Sequence, residues 1–155
     1  MPGKRILIVD YDTKSIESLS KLFEAHKIEV MTAMDGVEAY EKFKADEPDL
    51  VLLEAMLPRM HGFDLAQKIY QDTKGRVPVI IVTAVYKGHQ YRNEAIRSFG
   101  VSDYYEKPYD QDKLVNRVLS LIGEREEVEE DISEIPGLPD PDSVIETLTE
   151  MLKKK

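Results

Sequence analysis

The sequence predicts an α/β protein in which helices cover both faces of a doubly wound, five-stranded parallel sheet. Short apolar runs alternate with segments whose apolar residues recur at helical spacing, which is the order that a parallel sheet with crossover helices requires. The runs are apolar on both faces, and strands of that kind must be covered on both faces. The chain of 155 residues is long enough for one domain with its own core and a short additional segment.

Five apolar runs predict the five strands. Four of them are strong and one is weaker, and they lie at residues 6–9, 30–33, 50–53, 79–82 and 104–105. In a doubly wound sheet the working site lies at the carboxyl ends of the strands. The residues just after each run are therefore the ones in which chemistry is expected.

Five helices are predicted between and after these strands. Apolar residues recur every three or four positions around residues 16–23, 37–43, 65–70 and 114–122, and a shorter helical segment covers 93–99. Glycine is common just past the end of a helix, so Gly100 and Gly123 are expected to end the last two helices. The main domain is therefore predicted to span residues 1–123.

The remaining residues predict a linker and a tail helix. Residues 124–141 are acidic and then rich in proline and glycine, which is typical of a solvated linker. Residues 142–155 begin with the capping-box spacing of Ser143 and Glu146 and end in lysines that suit the negative end of a helix dipole. One face of this predicted amphipathic helix carries Val144, Ile145, Leu148, Met151 and Leu152.

An isolated helix of this length is marginal in water, so its apolar face needs something to pack against. The main domain, a second copy of the chain and a separate protein are all open as that surface. We expect another chain or a partner, because the negative charge of the linker disfavours collapse onto an acidic surface. A homodimer through the tail helix is one such arrangement.

Composition excludes several classes of function. The chain has no cysteine, which excludes disulfides and thiolate chemistry. No apolar stretch approaches the ~20 residues that span a bilayer, and the N-terminus does not read as a secretory signal, so we expect a cytoplasmic protein without a membrane partner. The histidines His26, His61 and His89 are scattered without metal-ligand spacing and are expected at the surface.

The charge distribution argues against nucleic-acid binding. The net charge is −9, and residues 124–155 carry 11 of the 30 acidic residues but only 4 of the 21 basic ones. The main domain is therefore nearly neutral, and the sequence shows no clustered basic surface of the kind that a phosphate backbone requires. We expect protein partners and no nucleic acid.

Polar side chains follow four of the predicted strands. They are Asp10, Tyr11 and Asp12 after the first strand, Glu54 after the third, Thr83 after the fourth and Lys107 with Pro108 after the fifth. Because parallel strands end at one edge of the sheet, these side chains are expected to converge on one pocket. The alternative is that the acids are ordinary turn residues and helix caps.

The segments that carry these residues resemble the receiver domains of two-component response regulators. The resemblance rests on ILIVDYD at 6–12, DLVLLEAMLPRMHG at 49–62, PVIIVTA at 78–84 and DYYEKPY at 103–109, and it covers roughly residues 4–123. It implies a flavodoxin-like sheet with the strand order 2-1-3-4-5. It also implies that the third strand ends in an aspartate that accepts a phosphoryl group from a histidine kinase.

The resemblance implies a role for each matching residue. Asp10 matches an acid that helps to hold a magnesium ion, Thr83 a hydroxyl that contacts the phosphoryl oxygens, and Lys107 a lysine that neutralises charge. Lys107 precedes Pro108, and the bond between such residues is often cis. Tyr104 matches an aromatic switch position, and Tyr86, Tyr91 and Arg92 add aromatic and arginine side chains of the kind that anchor interfaces.

Two residues depart from the receiver pattern. Glu54 stands at the acceptor position and Tyr11 at the position of a direct metal ligand. Glutamate reaches about 1.5 Å further than aspartate, and positioning errors of ~1 Å can cost ~100-fold in rate. Magnesium demands near-ideal octahedral coordination, so the loss of a carboxylate to a neutral phenol predicts weak or lost binding. Asp12 lies one residue too late, although it can re-enter the site if the chain turns there.

We therefore expect a receiver that has no catalytic residues and that acts as a signalling and protein-interaction module. It either works independently of phosphorylation or mimics the phosphorylated state through the charge of Glu54. In either case Glu54 is expected within salt-bridge reach of Lys107, because an unpaired charge in the pocket is costly. Two alternatives stay open. The chain can be a phosphorelay receiver that still accepts a phosphoryl group from a histidine kinase, or the N-terminal part of a longer regulator with an output domain.

Overall fold

The computed structural model describes the backbone of residues 3–134 and the side chains of residues 3–123. Strands and helices alternate strictly along this part of the chain. The strands are β1 (Arg5–Val9), β2 (Glu29–Ala33), β3 (Leu50–Leu53), β4 (Val79–Thr83) and β5 (Asp103–Glu106). The helices are α1 (Thr13–Glu24), α2 (Gly36–Ala45), α3 (Gly62–Thr73), α4 (His89–Ser98) and α5 (Gln111–Glu134).

The five strands form one parallel sheet in the order β2-β1-β3-β4-β5, as the receiver resemblance implies. Val9 pairs with Ala33 on one side and with Leu53 on the other, so the carboxyl ends of β2, β1 and β3 lie level. The strand order reverses beside β1, where one crossover leads towards β2 and the next leads to β3 on the other side. This reversal leaves a crevice at the carboxyl edge of β1 and β3.

Alternate residues of each strand point into two separate cores. Leu7, Val51 and Ile81 belong to the core under α2, α3 and α4. Ile8 and Leu52 belong to the core under α1 and α5. The three-layer arrangement follows from the sequence because strands that are apolar at every position have to be covered on both faces.

The predicted end of the last helix is wrong. The helix α5 continues through Gly123 to Glu134. A single glycine inside a helix costs only about 1 kcal/mol relative to alanine, and the glutamate and arginine residues that follow are good helix formers. The first part of the predicted 124–141 linker is therefore helical.

The chain divides into two compact units, residues 1–122 and 123–155. The tail helix predicted for residues 142–155, with its apolar residues, lies outside the described residues. Its assignment stays a prediction.

Candidate functional site

Backbone hydrogen bonds between strand ends bring the predicted pocket together. The amide of Glu54 donates to the carbonyl of Val9, and the amide of Lys107 donates to the carbonyl of Thr83. These bonds continue the parallel ladder for one residue beyond the strands, so the following side chains start from the same edge. Asp10 and Glu54 are both buried there, with 2% and 1% of their surface exposed.

The carboxylate of Glu54 is held by two backbone amides and one cation. Its Oε1 accepts a hydrogen bond of 3.0 Å from the amide of Ala84, and its Oε2 accepts one of 3.2 Å from the amide of Met56. The ammonium group of Lys107 lies 3.6 Å from Oε1, which confirms the predicted salt bridge. Backbone amides from the loops after β3 and β4 therefore bind the negatively charged carboxylate of Glu54.

Lys107 joins the two buried acids. Its Nζ donates to Oδ2 of Asp10 at 2.6 Å and to the hydroxyl of Ser15 at 3.1 Å. Burial alone disfavours the charged ammonium, but the hydrogen bond to Asp10 and the attraction of Asp10 and Glu54 outweigh it and raise the pKa of Lys107. The lysine is a cation that both acids share. The peptide bond from Lys107 to Pro108 is cis, as the resemblance implies.

The residues after β1 do not present a set of carboxylates to a metal ion. Tyr11 points outwards, with 46% of its surface exposed. The chain turns at this point, and Asp12 caps α1 by accepting a hydrogen bond of 3.0 Å from the amide of Lys14. Asp10 is occupied on both oxygens, because Oδ1 accepts from the amide of Asp12 at 3.0 Å while Oδ2 contacts Lys107.

The magnesium ion that the receiver resemblance implies fits this arrangement poorly. Magnesium binds through oxygen ligands in near-ideal octahedral geometry, and here a phenol stands where a carboxylate is expected and the remaining acid is paired with an ammonium group. Among the described residues, no group of three His, Cys, Asp or Glu side chains has a geometry that could hold a metal ion.

Thr83 organises the loop after β4. Its side chain is fully buried, and its hydroxyl oxygen accepts hydrogen bonds from the amides of Val85 at 3.1 Å and Tyr86 at 3.4 Å. The amide of Ala84, the residue between Thr83 and Val85, is the one that binds Glu54. The start of the loop is therefore fixed by Thr83 on one side and by Glu54 on the other.

The predicted switch residue Tyr104 is turned inwards. Only 5% of its surface is exposed, and its hydroxyl donates to the carbonyl oxygen of Tyr86. Burial raises the pKa of the Tyr104 phenol, and the negative charges of Glu106 and Glu54 add to that effect. The side chain of Tyr104 on β5 is thus hydrogen-bonded to the backbone of the loop after β4, and the first amide of that loop binds Glu54.

The other predicted interaction residues lie around the start of α4. The rings of Tyr86 and Tyr91 meet edge to face with centroids 5.2 Å apart. Arg92 forms an ion pair of 3.0 Å with Asp103 on β5. A groove of about 460 Å³ runs between α4 and β5 and is lined by Gly88, His89, Arg92, Tyr104, Tyr105 and Glu106.

Sequence reasoning missed the role of His61. We expected a surface residue, but the ring is half-buried and packs against Phe63 and Tyr86, with centroid separations of 5.0 and 5.4 Å. Its Nδ1 accepts from the amide of Phe63 at 3.1 Å and so caps α3. The sequence did carry an indication, because His61 stands directly before Gly62 and the helical segment that begins there, which is an N-cap position.

No helix within the described part of the chain is long and apolar enough to cross a membrane.

The fold and the strand-end residues define a receiver. The profile of the response regulator receiver domain matches residues 6–119, and the chain belongs to this family, the receiver domains of two-component response regulators. Receiver domains are in general signalling modules rather than enzymes, and they interact with histidine kinases and output domains.

Individual relatives agree with this assignment. The chain is 39% identical over 118 residues to the response regulator PleD of Caulobacter vibrioides, a match that covers 76% of this chain and 26% of PleD. It is 33% identical over 115 residues to the transcriptional regulatory protein CrdR of Helicobacter pylori, covering 74% of this chain and 53% of CrdR. The chain therefore spans about a quarter to a half of the length of these relatives.

Solved structures share the fold along almost their whole length. The receiver domain of the Francisella response regulator 1452 superposes with a TM-score of 0.73 at 27% identity, covering 79% of this chain and 99% of that one. A CheY-like receiver domain protein from Methanospirillum hungatei JF-1 gives a TM-score of 0.73 at 29% identity, covering 80% of this chain and 97% of that one.

Proposed function

We propose that this receiver signals through protein contacts without accepting a phosphoryl group, and that the charge of Glu54 holds it in a state that mimics phosphorylation. The observation that carries the proposal is the position of the Glu54 carboxylate. It accepts hydrogen bonds from the amides of Met56 and Ala84 and lies 3.6 Å from the Lys107 ammonium. Two N–H donors and a cation form an anion site, and this side chain fills it.

The length of the side chain explains why the carboxylate reaches this site. Taking Glu54 as the counterpart of the acceptor aspartate, the extra methylene extends the charge by about 1.5 Å towards the place of a phosphoryl group. The carboxylate is almost completely buried and its oxygens already have partners. An incoming phosphoryl donor would have to displace these hydrogen bonds. This supports a receiver that neither accepts nor hydrolyses a phosphoryl group.

The surroundings of Asp10 support the same proposal. Phosphoryl transfer depends on metal ions that neutralise the developing charge on the transferred group. In this chain Lys107 takes that electrostatic role between Asp10 and Glu54, at 2.6 and 3.6 Å from their oxygens. A cation that belongs to the protein balances part of the negative charge whatever the magnesium concentration.

The partner surface that we propose is the groove between α4 and β5. Tyr104 and Arg92 line it, and Tyr104 is bonded to the carbonyl of Tyr86, whose ring packs on Tyr91. Aromatic and arginine side chains are the usual anchors of protein interfaces. Because Tyr104 contacts the backbone of the loop held by Glu54, the state of the site and the shape of this groove are connected by two hydrogen bonds.

Phosphorylation in vitro tests the proposal. The wild-type chain and a double variant, Tyr11→Asp with Glu54→Asp, are incubated with acetyl phosphate and magnesium, and their intact masses are measured. We expect the double variant to gain one phosphoryl group and the wild type to gain none. Gain of a phosphoryl group by the wild type would favour the alternative of a phosphorelay receiver.

The lengths of the relatives favour a second possibility that is compatible with the first. PleD and CrdR are much longer than their matched segments, so this chain can act as the receiver part of a longer regulator with an output domain. The predicted tail helix is proposed to mediate contact with such a domain or with a second copy. Sedimentation of the full chain beside a chain ending at residue 134 tests self-association, because loss of a dimer on truncation would support it and identical monomers would exclude it.

A further inference from the structure

Exposed apolar side chains surround the site at the carboxyl edge of the sheet. Six large apolar side chains stay exposed in the described part of the chain, and four of them lie in the loops that follow the strands. Met34 follows β2, Tyr11 follows β1, Met56 follows β3 and Val85 follows β4, and each has between 41% and 46% of its surface exposed. We call these four side chains the apolar rim.

The strand order places the apolar rim in one row, from Met34 at one end to Val85 at the other. Neighbouring strands of a sheet lie ~4.8 Å apart, so the row of four loops is about 14 Å long. In the middle of the row, Tyr11 and Met56 are close enough to line one pocket of about 400 Å³ together with Leu57 and Pro58. The apolar rim is therefore a continuous surface at its centre.

The chemistry of the apolar rim suits an apolar partner. Charged groups in the same loops are already engaged, because the carboxylate of Asp12 caps α1 and Arg59 pairs with Asp35 at 3.2 Å. Exposed apolar patches of this kind mark interaction sites, and methionine is common where a surface adapts to an apolar helix. We therefore looked for an apolar segment that has no surface to pack against.

The predicted tail helix of residues 142–155 is such a segment. It lies outside the described residues, and its sequence places five apolar residues on one face: Val144, Ile145, Leu148, Met151 and Leu152. At 1.5 Å per residue this face is about 12 Å long, close to the length of the apolar rim. Residues 139–155 carry four acids and three lysines, so the segment is nearly neutral and suits an apolar surface.

The path of the chain favours a second copy as the owner of the docked tail. The helix α5 begins just after β5, at the carboxyl edge, and packs back along the sheet. From Gln111 to Ile122 it rises about 17 Å, which exceeds the ~13 Å of a four-residue strand. The chain therefore leaves the main domain at the edge opposite its own apolar rim. Exchange of tails between two copies would give two identical contacts related by a twofold axis.

We propose that the apolar rim binds the predicted tail helix of a second copy of this chain. The proposal rests on the proposed role of the tail in self-association and names the surface that receives it. In such a dimer each tail covers the carboxyl edge of the other copy, and so shields Glu54 from phosphoryl donors.

Sedimentation equilibrium of the full chain tests the contact from both sides. We expect the wild type to dimerise, and Tyr11→Ser in the apolar rim and Leu148→Ser in the tail each to weaken the dimer on the order of tenfold. Leu148 lies outside the main domain, so its effect does not depend on the folding of the sheet. Tyr70→Ser is the matched control, because Tyr70 is also 46% exposed but lies on α3, and it should leave the dimer unchanged.

A spin label shows which copy the tail contacts. The chain has no cysteine, so Lys155→Cys provides a single attachment site. Chains with this label are mixed with chains that carry ¹³C-methyl methionine, and the methyl signals are recorded by nuclear magnetic resonance. We expect the signals of Met34 and Met56 to broaden in the mixture, where label and methyl groups are on different molecules. Tyr11→Ser in the methyl-labelled chain should remove the broadening.

Three results would overturn the proposal: a wild type that sediments as a monomer, a dimer that Tyr11→Ser does not weaken, or broadening that occurs only when both labels are on one chain. The second result would leave self-association through the tail intact and exclude only the apolar rim as its surface. Gain of a phosphoryl group by the wild type would overturn phosphorylation-independent signalling without affecting these measurements, so the proposals fail separately.

Discussion

Replacement of Lys107 by methionine should destabilise the fold strongly, because it removes the cation that two buried carboxylates share. Asp10 and Glu54 are 2% and 1% exposed, and Lys107 lies 2.6 and 3.6 Å from their oxygens. Removing one partner of a buried ion pair typically costs about 3–5 kcal/mol, since the remaining charge is left without compensation. Methionine retains most of the apolar stem, so the change reports mainly on charge.

The structure places the expected loss at the lower end of that range. The Lys107 side chain keeps 18% of its surface exposed, and Glu54 retains its two backbone amides in the variant. We therefore expect a decrease of about 3 kcal/mol in the free energy of unfolding, measured by urea denaturation at neutral pH. Adding Glu54→Gln to Lys107→Met should recover part of the loss, since one of the two uncompensated charges is then absent.

A surface lysine provides the control. Lys21 pairs with Glu17 one helical turn away at 3.1 Å, and 75% of its side chain is exposed. Exposed pairs of this kind contribute less than about 0.5 kcal/mol, so Lys21→Met should be nearly neutral. If Lys107→Met were as mild as Lys21→Met, the idea that Lys107 neutralises a buried site would be refuted.

Three further predictions concern packing, pH and metal. A Cβ at Gly62 would lie 2.4 Å from a backbone oxygen of Glu54, so Gly62→Ala should lower the free energy of unfolding by about 2 kcal/mol in urea denaturation. The raised pKa values of Lys107 and Tyr104 mean that the folded state keeps these protons longer than the unfolded state. The free energy of unfolding should have its full value below the pKa values of the unfolded state, which lie near pH 10, and should fall as pH rises above them. The fall should be less steep in Tyr104→Phe, because one of the two groups is then absent. Calorimetry should show magnesium binding weaker than millimolar in the wild type and tighter in the double variant Tyr11→Asp, Glu54→Asp; sub-millimolar binding by the wild type would contradict the account of the site.

The sheet, and the edge of it that carries the strand-end residues, were predictable because periodicity and strand-end position are local properties of the sequence. Runs apolar at every position require coverage on both faces, and the structure contains the two cores that this implies. The pairing of Glu54 with Lys107 followed from the same logic, since both residues come directly after strands of one parallel sheet. Charge and position were sufficient for that prediction.

The errors arose where one position satisfies two rules. Gly123 looked like a helix end, but glycine marks an end only when the residues after it do not form a helix, and the glutamates here do. His61 was judged by the absence of metal-ligand spacing, while its place before Gly62 determined its role as a cap. The hydrogen bonds of Glu54 to Met56 and Ala84 depend on the paths of two loops, which local patterns do not specify.

The central claim is that the Glu54 carboxylate already occupies the place of a phosphoryl group, and the amide signals of Met56 and Ala84 test it most directly. These signals can be recorded for the untreated wild type and for the Tyr11→Asp, Glu54→Asp variant before and after treatment with acetyl phosphate and magnesium. We predict that the untreated wild type resembles the treated variant and does not change on treatment. Wild-type signals that match the untreated variant, and shift when acetyl phosphate and magnesium are added, would contradict the claim.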